Sequence, residues 1–123
     1  MILVDTSQWI DHFRGANNLL PDLLTDGLVC IHPWIIGELA CGHLKNRQQI
    51  LALLQNLPQI TAISENEVLF FIEQHHLMGR GIGYIDAHLL AATAVNAKQL
   101  WTRDKRLQII AESLGIAYLP KHH

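Results

Sequence analysis

Short apolar runs without polar alternation, separated by helix-length segments, constrain this chain more than any other feature. Ile2-Leu3-Val4, Leu28-Val29-Cys30-Ile31, Ile60-Thr61-Ala62-Ile63, Leu100-Trp101-Thr102 and Ile116-Ala117-Tyr118-Leu119 read as strands. A strand with one wet face alternates apolar and polar residues, whereas a strand apolar on both faces must be covered on both. The intervening segments supply the cover. Asp5-Thr6-Ser7 places a capping hydroxyl before a helix bearing Trp9, Ile10 and Phe13, which stops at Arg14-Gly15. Pro33 suits the first turn of a helix running through Glu38 to about Cys41, and another covers about Gln48 to Asn56, before Pro58. Ser64-Glu65-Asn66-Glu67 is a capping box opening a helix to about Met78. The Ala- and Leu-rich segment from about Tyr84 to Ala97 is helical, as is the stretch from about Asp104 to Leu114. The expected architecture is α/β: a parallel sheet of four to five short strands flanked by helices.

The chain has 123 residues, with no repeat, low-complexity tract or linker composition, so one domain is expected over residues 1–121. His122 and His123 are then a tail, either native or the start of a purification tag. Half the residues are hydrophobic and 16% are charged, which excludes a disordered chain. Lys and Arg number 9 against 11 Asp and Glu, a formal charge of −2, which excludes gripping nucleic acid by bulk positive charge. Cys30 and Cys41 are too few for a disulfide framework and lack metal-ligand spacing. Asp5 interrupts the opening apolar run, and no run approaches the length of a membrane span. A soluble cytoplasmic protein is the expectation.

Most of the acids suit solvated positions. Glu65 and Glu67 lie in a helix's first turn, where they favour the macrodipole. Asp11 has Arg14 three residues on, a surface pair. Asp5, Glu38 and Asp86 do not fit this description. Asp5 ends an apolar strand; Glu38 has Trp34, Ile35, Cys41 and Gly42 at helical spacing; Asp86 has Leu89, Leu90 and Thr93. None has a cation among these neighbours, and a buried unpaired carboxylate is strongly unfavourable. A cap, or a pair to a distant Arg, would explain any one of them. Asp104 is a fourth candidate, although Arg103, Lys105 and Arg106 beside it also suit an ion pair or a helix cap. Ligands of open α/β sheets collect beyond the carboxyl ends of the strands, where Asp5 and Asp104 both fall. Four carboxylates brought together repel, and a hard divalent cation resolves the repulsion. Oxygen donors without a convergent His or Cys set favour Mg²⁺ or Mn²⁺ over Zn²⁺. Thr6, Ser7 and Thr102 lie beside these acids, to orient a ligand or to cap helices; for Ser7, capping is the expectation.

Asp5-Thr6-Ser7 with Trp9-Ile10, then Gly37-Glu38-Leu39, Gly83-Tyr84-Ile85-Asp86-Ala87 and Thr102-Arg103-Asp104 resembles the PIN-domain ribonucleases. Within them the pattern is most similar to the VapC-type toxins of type II toxin–antitoxin pairs. The resemblance spans essentially the whole chain and keeps the order of the acids. It implies a parallel sheet between helices and Mg²⁺- or Mn²⁺-dependent hydrolysis of RNA phosphodiesters by metal-activated water. Asp5, Glu38 and Asp86 would be the metal-binding catalytic acids, with Asp104 joining directly or through water. It further implies a cognate antitoxin protein whose tail occupies the active-site groove, a homodimer, and contact with DNA only through the antitoxin.

Other signals point elsewhere or nowhere. Gly79-Arg80-Gly81-Ile82-Gly83 follows a helix rather than a strand, so it reads as a helix stop and loop rather than a dinucleotide site. His88, two residues after Asp86, is expected at a surface or pocket edge; His75 and His76 are expected on a helix surface or an interface. Val68-Leu69-Phe70-Phe71-Ile72 is apolar all round and belongs to the core or to a partner surface. Lys45 with Arg47, Arg80, and Arg103 with Lys105 and Arg106 are the basic groups available to RNA phosphates, or form solvated faces. The alternative to a nuclease is a non-catalytic interaction module of the same fold whose acids are structural; a small-molecule phosphatase is a third reading. With four acids assigned to a metal, 11 less 4 leaves 7 against 9 basic residues, so the net charge does not argue against an RNA substrate.

Overall fold

The computed structural model describes residues 1–16 and 19–120. The chain runs through β1 (Ile2–Val4), α1 (Thr6–Phe13), α2 (Leu20–Thr25), β2 (Val29–Cys30), α3 (Pro33–Ala40), α4 (Arg47–Asn56), α5 (Glu65–Gln74), α6 (Tyr84–Val95), β3 (Gln99–Trp101) and α7 (Lys105–Ser113). The proposed tail at His122 and His123 lies outside the described residues.

β1 is the central strand, paired parallel to β2 on one side and β3 on the other. Ile2, Leu3 and Val4 are matched with Gln99, Leu100 and Trp101, so both strands end at the same level and deliver Asp5 and Thr102 side by side. The Asp5 N–H donates to the Trp101 carbonyl at 2.9 Å, carrying the ladder one residue past β1. The apolar runs are buried as their lack of alternation requires: Leu3 and Val4 are fully covered, and Leu100 nearly so. Much of that cover comes from α6, whose Ala87 to Thr93 segment is buried all round.

The sheet has three strands among the described residues, not four to five. The other two runs make only isolated contacts: Ala117 bridges Leu100, while the bridge to Ile31 falls on Gln59, one residue before the expected run, and Ile60 adds one N–H donated to the Ile31 carbonyl. Burial explains why neither grows. Ile60 is buried, but Thr61 and Ala62 are exposed, so the chain peels off the sheet edge after one residue. Ile116, Ala117 and Tyr118 are only half-buried, with Leu119 exposed. An edge with little apolar surface to cover gains little from a longer ladder.

The helix ends follow local chemistry. The Ser64 hydroxyl caps α5 by accepting from the Glu67 N–H (3.2 Å), as expected, but the Glu67 carboxylate accepts from the Ser64 hydroxyl (2.9 Å) rather than from the Ser64 N–H that would complete the expected capping box. α5 stops at Gln74, four residues before the expected Met78. Its five-residue apolar run divides: Val68 and Phe71 are buried, while Leu69 and Phe70 are 54% and 67% exposed. α2, with Pro21 in its first turn, has no counterpart in the sequence reading. No helix among the described residues is long and apolar enough to cross a membrane.

Candidate active site

The central acid is Asp5. It is 7% exposed and caps α1 with its carboxylate, so the hydroxyl expected in that role is not the cap. Oδ1 accepts from the Thr6 N–H (2.7 Å), and Oδ2 accepts from the hydroxyls of Ser7 (3.0 Å) and Thr102 (2.6 Å). A buried carboxylate with three donors is fixed in direction as well as compensated for lost water. The same hydroxyls reach the next segment: Ser7 Oγ accepts from the Arg103 N–H (3.0 Å), and Thr102 Oγ1 from the Asp104 N–H (3.1 Å). Ser7 and Thr102 thus tie the end of β1 to the start of α7.

Glu38 lies on α3 and is exposed, which corrects the expectation of a buried unpaired acid. The apolar residues at helical spacing, Ile35 and Leu39, are buried, but Glu38 itself falls on the outward side. Its Oε1 accepts from the Thr6 hydroxyl at 2.8 Å, which brings α3 to the end of β1. Asp104 is exposed and caps α7, its Oδ1 accepting from the N–H groups of Arg106 (2.9 Å) and Leu107 (3.2 Å).

Asp86, in the first turn of α6, is half-buried, and its Oδ2 accepts from the Gly83 N–H at 3.2 Å. Its pKa is raised above the ordinary 3.8, chiefly because burial penalises the charge. The Gly83 N–H opposes that rise, and the negative charges of Asp5, Asp104 and Glu38 add to it. Four acids from four separate stretches of chain therefore share one electrostatic neighbourhood. They do not form a closed cage: among the described residues, no group of three or more His, Cys, Asp or Glu converges as metal ligands. Each carboxylate instead faces a hydroxyl or a backbone N–H.

The basic residues divide into engaged and unengaged. Arg103 pairs with Asp11, 92 residues away in sequence, so the expected Asp11–Arg14 pair is replaced by a tertiary one. Arg47 donates to the carbonyls of Gly42 (3.0 Å) and Ala40, closing the end of α3. Arg80, Lys105 and Arg106 are exposed. Lys45 and Arg14 line a cleft of about 540 Å³ that also takes in Ile10, Phe13 and Leu39 and has Glu38 on its wall.

His88 is not at a surface or pocket edge. It is 4% exposed, with its ring centroid 4.1 Å from that of Trp34 and 4.6 Å from that of Tyr84. Position i+2 from Asp86 does turn it to another face, but that face is covered by α3. Burial pushes its pKa down, with Glu65 opposing. His32, which the sequence reading passed over, caps α3 through Nδ1, accepting from the Trp34 N–H at 3.1 Å. The His-Pro pair before an apolar helix was its available signal. Burial, and secondarily His88, push its pKa down to about 4.

The PIN domain family model matches residues 2–113. Ribonuclease VapC32 of Mycobacterium tuberculosis, from strain CDC 1551 / Oshkosh and from strain ATCC 25618 / H37Rv, is 47% identical to this chain over 118 residues. The match covers 95% of this chain and 95% of each relative. A family match over nearly the whole fold, with identity at this level end to end, places the chain: it belongs to the PIN-domain family and, within it, to the VapC-type toxins.

Proposed function

We propose that this chain is a divalent-metal-dependent endoribonuclease, the toxin of a toxin–antitoxin pair, acting in the cytoplasm. The observation that carries the reading is Asp86, half-buried and further disfavoured as an anion by three acids from other elements. No basic side chain figures among the groups that set its charge state. An all-oxygen cluster of this kind fits a hard cation, Mg²⁺ or Mn²⁺. Asp5, Glu38 and Asp86 would hold it, with Asp104 joining directly or through water. When bound, the cation supplies an activated water and neutralises charge on the phosphoryl oxygens.

The chain's own residues have distinct tasks. Asp5 is the fixed reference, locked by Thr6, Ser7 and Thr102. Glu38 and Asp104 are exposed, so each can re-aim by side-chain rotation alone. Thr6 limits where Glu38 points, and Thr102 keeps the Asp104 backbone beside Asp5. None of these groups is placed to act as a protein nucleophile, and hydrolysis by water needs none.

RNA is the proposed substrate, with a cognate antitoxin and a second copy of the chain as protein partners and DNA reached only through the antitoxin. The outward Leu69 and Phe70 on α5 support an apolar partner surface. The test is cleavage of cellular RNA in the presence of Mg²⁺ or Mn²⁺ by the purified wild type beside Asp5→Asn. Cleavage that is abolished by chelation and by the substitution is expected. Cleavage that persists in both would overturn the assignment of these acids.

A further inference from the structure

Of the cations around the acids, Arg106 is held in an unusual way. Its side chain lies across the backbone of Gly81, in the loop that leads to Asp86. A methyl group built on Gly81 would stand 2.7 Å from Arg106 Nη1 and 2.8 Å from its Cδ, closer than real side-chain carbons approach. Gly81 also has φ +81°, a conformation other residues adopt only with strain. The loop therefore has no side chain where the arginine crosses it. At its other end Arg106 is anchored in the first turn of α7, its N–H donating to Asp104 Oδ1 at 2.9 Å.

The charge itself is unused. Arg103 three positions earlier neutralises Asp11, and Arg47 closes α3, but the Arg106 guanidinium has no carboxylate or carbonyl partner among the described residues. It is exposed, although Asp86 and Asp104 lie in the segments it joins. An exposed guanidinium seated on the loop that leads to Asp86, with no protein partner among the described residues, is free for a ligand that is itself anionic, and its planar fork suits two phosphate oxygens.

We propose that Arg106, seated on Gly81, is a positioning residue that binds a backbone phosphate of the RNA beside the acid cluster. This deepens the nuclease reading by naming the phosphate contact that a chain of net charge −2 needs in place of bulk positive charge. The contact is to the phosphate and is indifferent to base identity.

The test is equilibrium binding of a labelled single-stranded RNA, followed by anisotropy across a salt series, for wild type, Arg106→Ala, Arg106→Lys and Gly81→Ala. One lost phosphate contact reduces the slope of log K against log salt by about 0.7 for a single strand. Arg106→Ala should show that reduction and at least a several-fold weaker Kd at low salt. Arg106→Lys should keep the wild-type slope with weaker binding, and Gly81→Ala should move toward Arg106→Ala because the arginine loses its seat. Matched circular dichroism and melting curves identify any variant that fails to fold, in which case Arg106→Lys and Arg106→Ala decide between themselves. An unchanged slope in folded Arg106→Ala overturns the proposal, even if its melting temperature falls, since loop packing alone would do that. The nuclease reading fails separately: wild type that binds RNA with the Arg106-dependent slope but never cleaves it leaves the phosphate contact standing. Wild type that binds no RNA removes both.

Discussion

Replacing His32 by Asn should flatten the acid limb of this protein's stability curve. His32 is 1% exposed, its Nδ1 is committed to the Trp34 N–H, and its facing titratable neighbour is His88. Its pKa falls from 6.5 in the unfolded chain to about 4 in the fold. Above pH 6.5 neither state binds the proton, so stability is unaffected. Between pH 6.5 and about 4 the unfolded chain takes up a proton that the fold refuses, so stability drops as pH falls. At about 1.36 kcal/mol per pH unit, that window is worth about 3 kcal/mol. The loss is a large part of the 5–15 kcal/mol, roughly, that holds a domain together. Asn has an amide oxygen where Nδ1 sits, so it keeps the cap of α3 and has no charge to acquire. Its packing cost is the same at every pH and cancels from the slope. Urea unfolding at half-unit intervals from pH 7.5 to 3.5 measures the difference between the two curves. Wild type should lose about 3 kcal/mol more than His32→Asn across the window. Parallel curves would show that His32 takes up its proton in the folded state, and the burial argument would be wrong.

The acid cluster yields two further expectations. Asp86→Asn should abolish metal-dependent cleavage while raising Tm at pH 7, because burial and its acidic neighbours disfavour the carboxylate that is removed. The sign follows from the raised pKa: the fold binds the proton more readily than the unfolded chain, so wild type gains stability as pH falls toward that pKa. RNA cleavage with and without Mg²⁺ checks the first part and a calorimetric scan the second, and a lower Tm in the variant would refute the electrostatic reading. Thr102→Val keeps the shape but removes the 2.6 Å donor to Asp5 and the acceptor for the Asp104 N–H. It should cost about 1–3 kcal/mol in stability, read by urea titration, with cleavage reduced through misdirected acids. Full activity at wild-type stability would show that the Asp5 network is dispensable.

Some of the site was legible residue by residue. Asp5 and Asp104 were recognisable because each follows an apolar strand run, and the Ser64 cap because its chemistry closes within three residues. The companions of these acids were not. Glu38 was expected to be buried because its neighbours at helical spacing are apolar, yet a helix has an outward side that spacing alone does not assign. His88 was turned from Asp86 as its position requires, but only the packing of Trp34 from α3 made its face an interior one. The two marginal strands carried the right residue types and lacked surface to cover, so no ladder grows beyond isolated bridges at Gln59 and Ala117.

The sequence by itself determined the alternation of apolar strands and helices, the order of the acids along the chain, and the Ser64 cap of α5. These depend on backbone preferences and hydrogen bonds that reach no further than one helical turn. Tertiary structure alone decided which groups meet. The in-phase register of β1 and β3 sets Thr102 against Asp5, and Arg103 reaches Asp11 across 92 residues in place of the local Arg14. It also decided how strongly Asp86 resists its charge. Coulomb energies depend on separation and on shielding from water, and both are set by long-range packing, which no local pattern records.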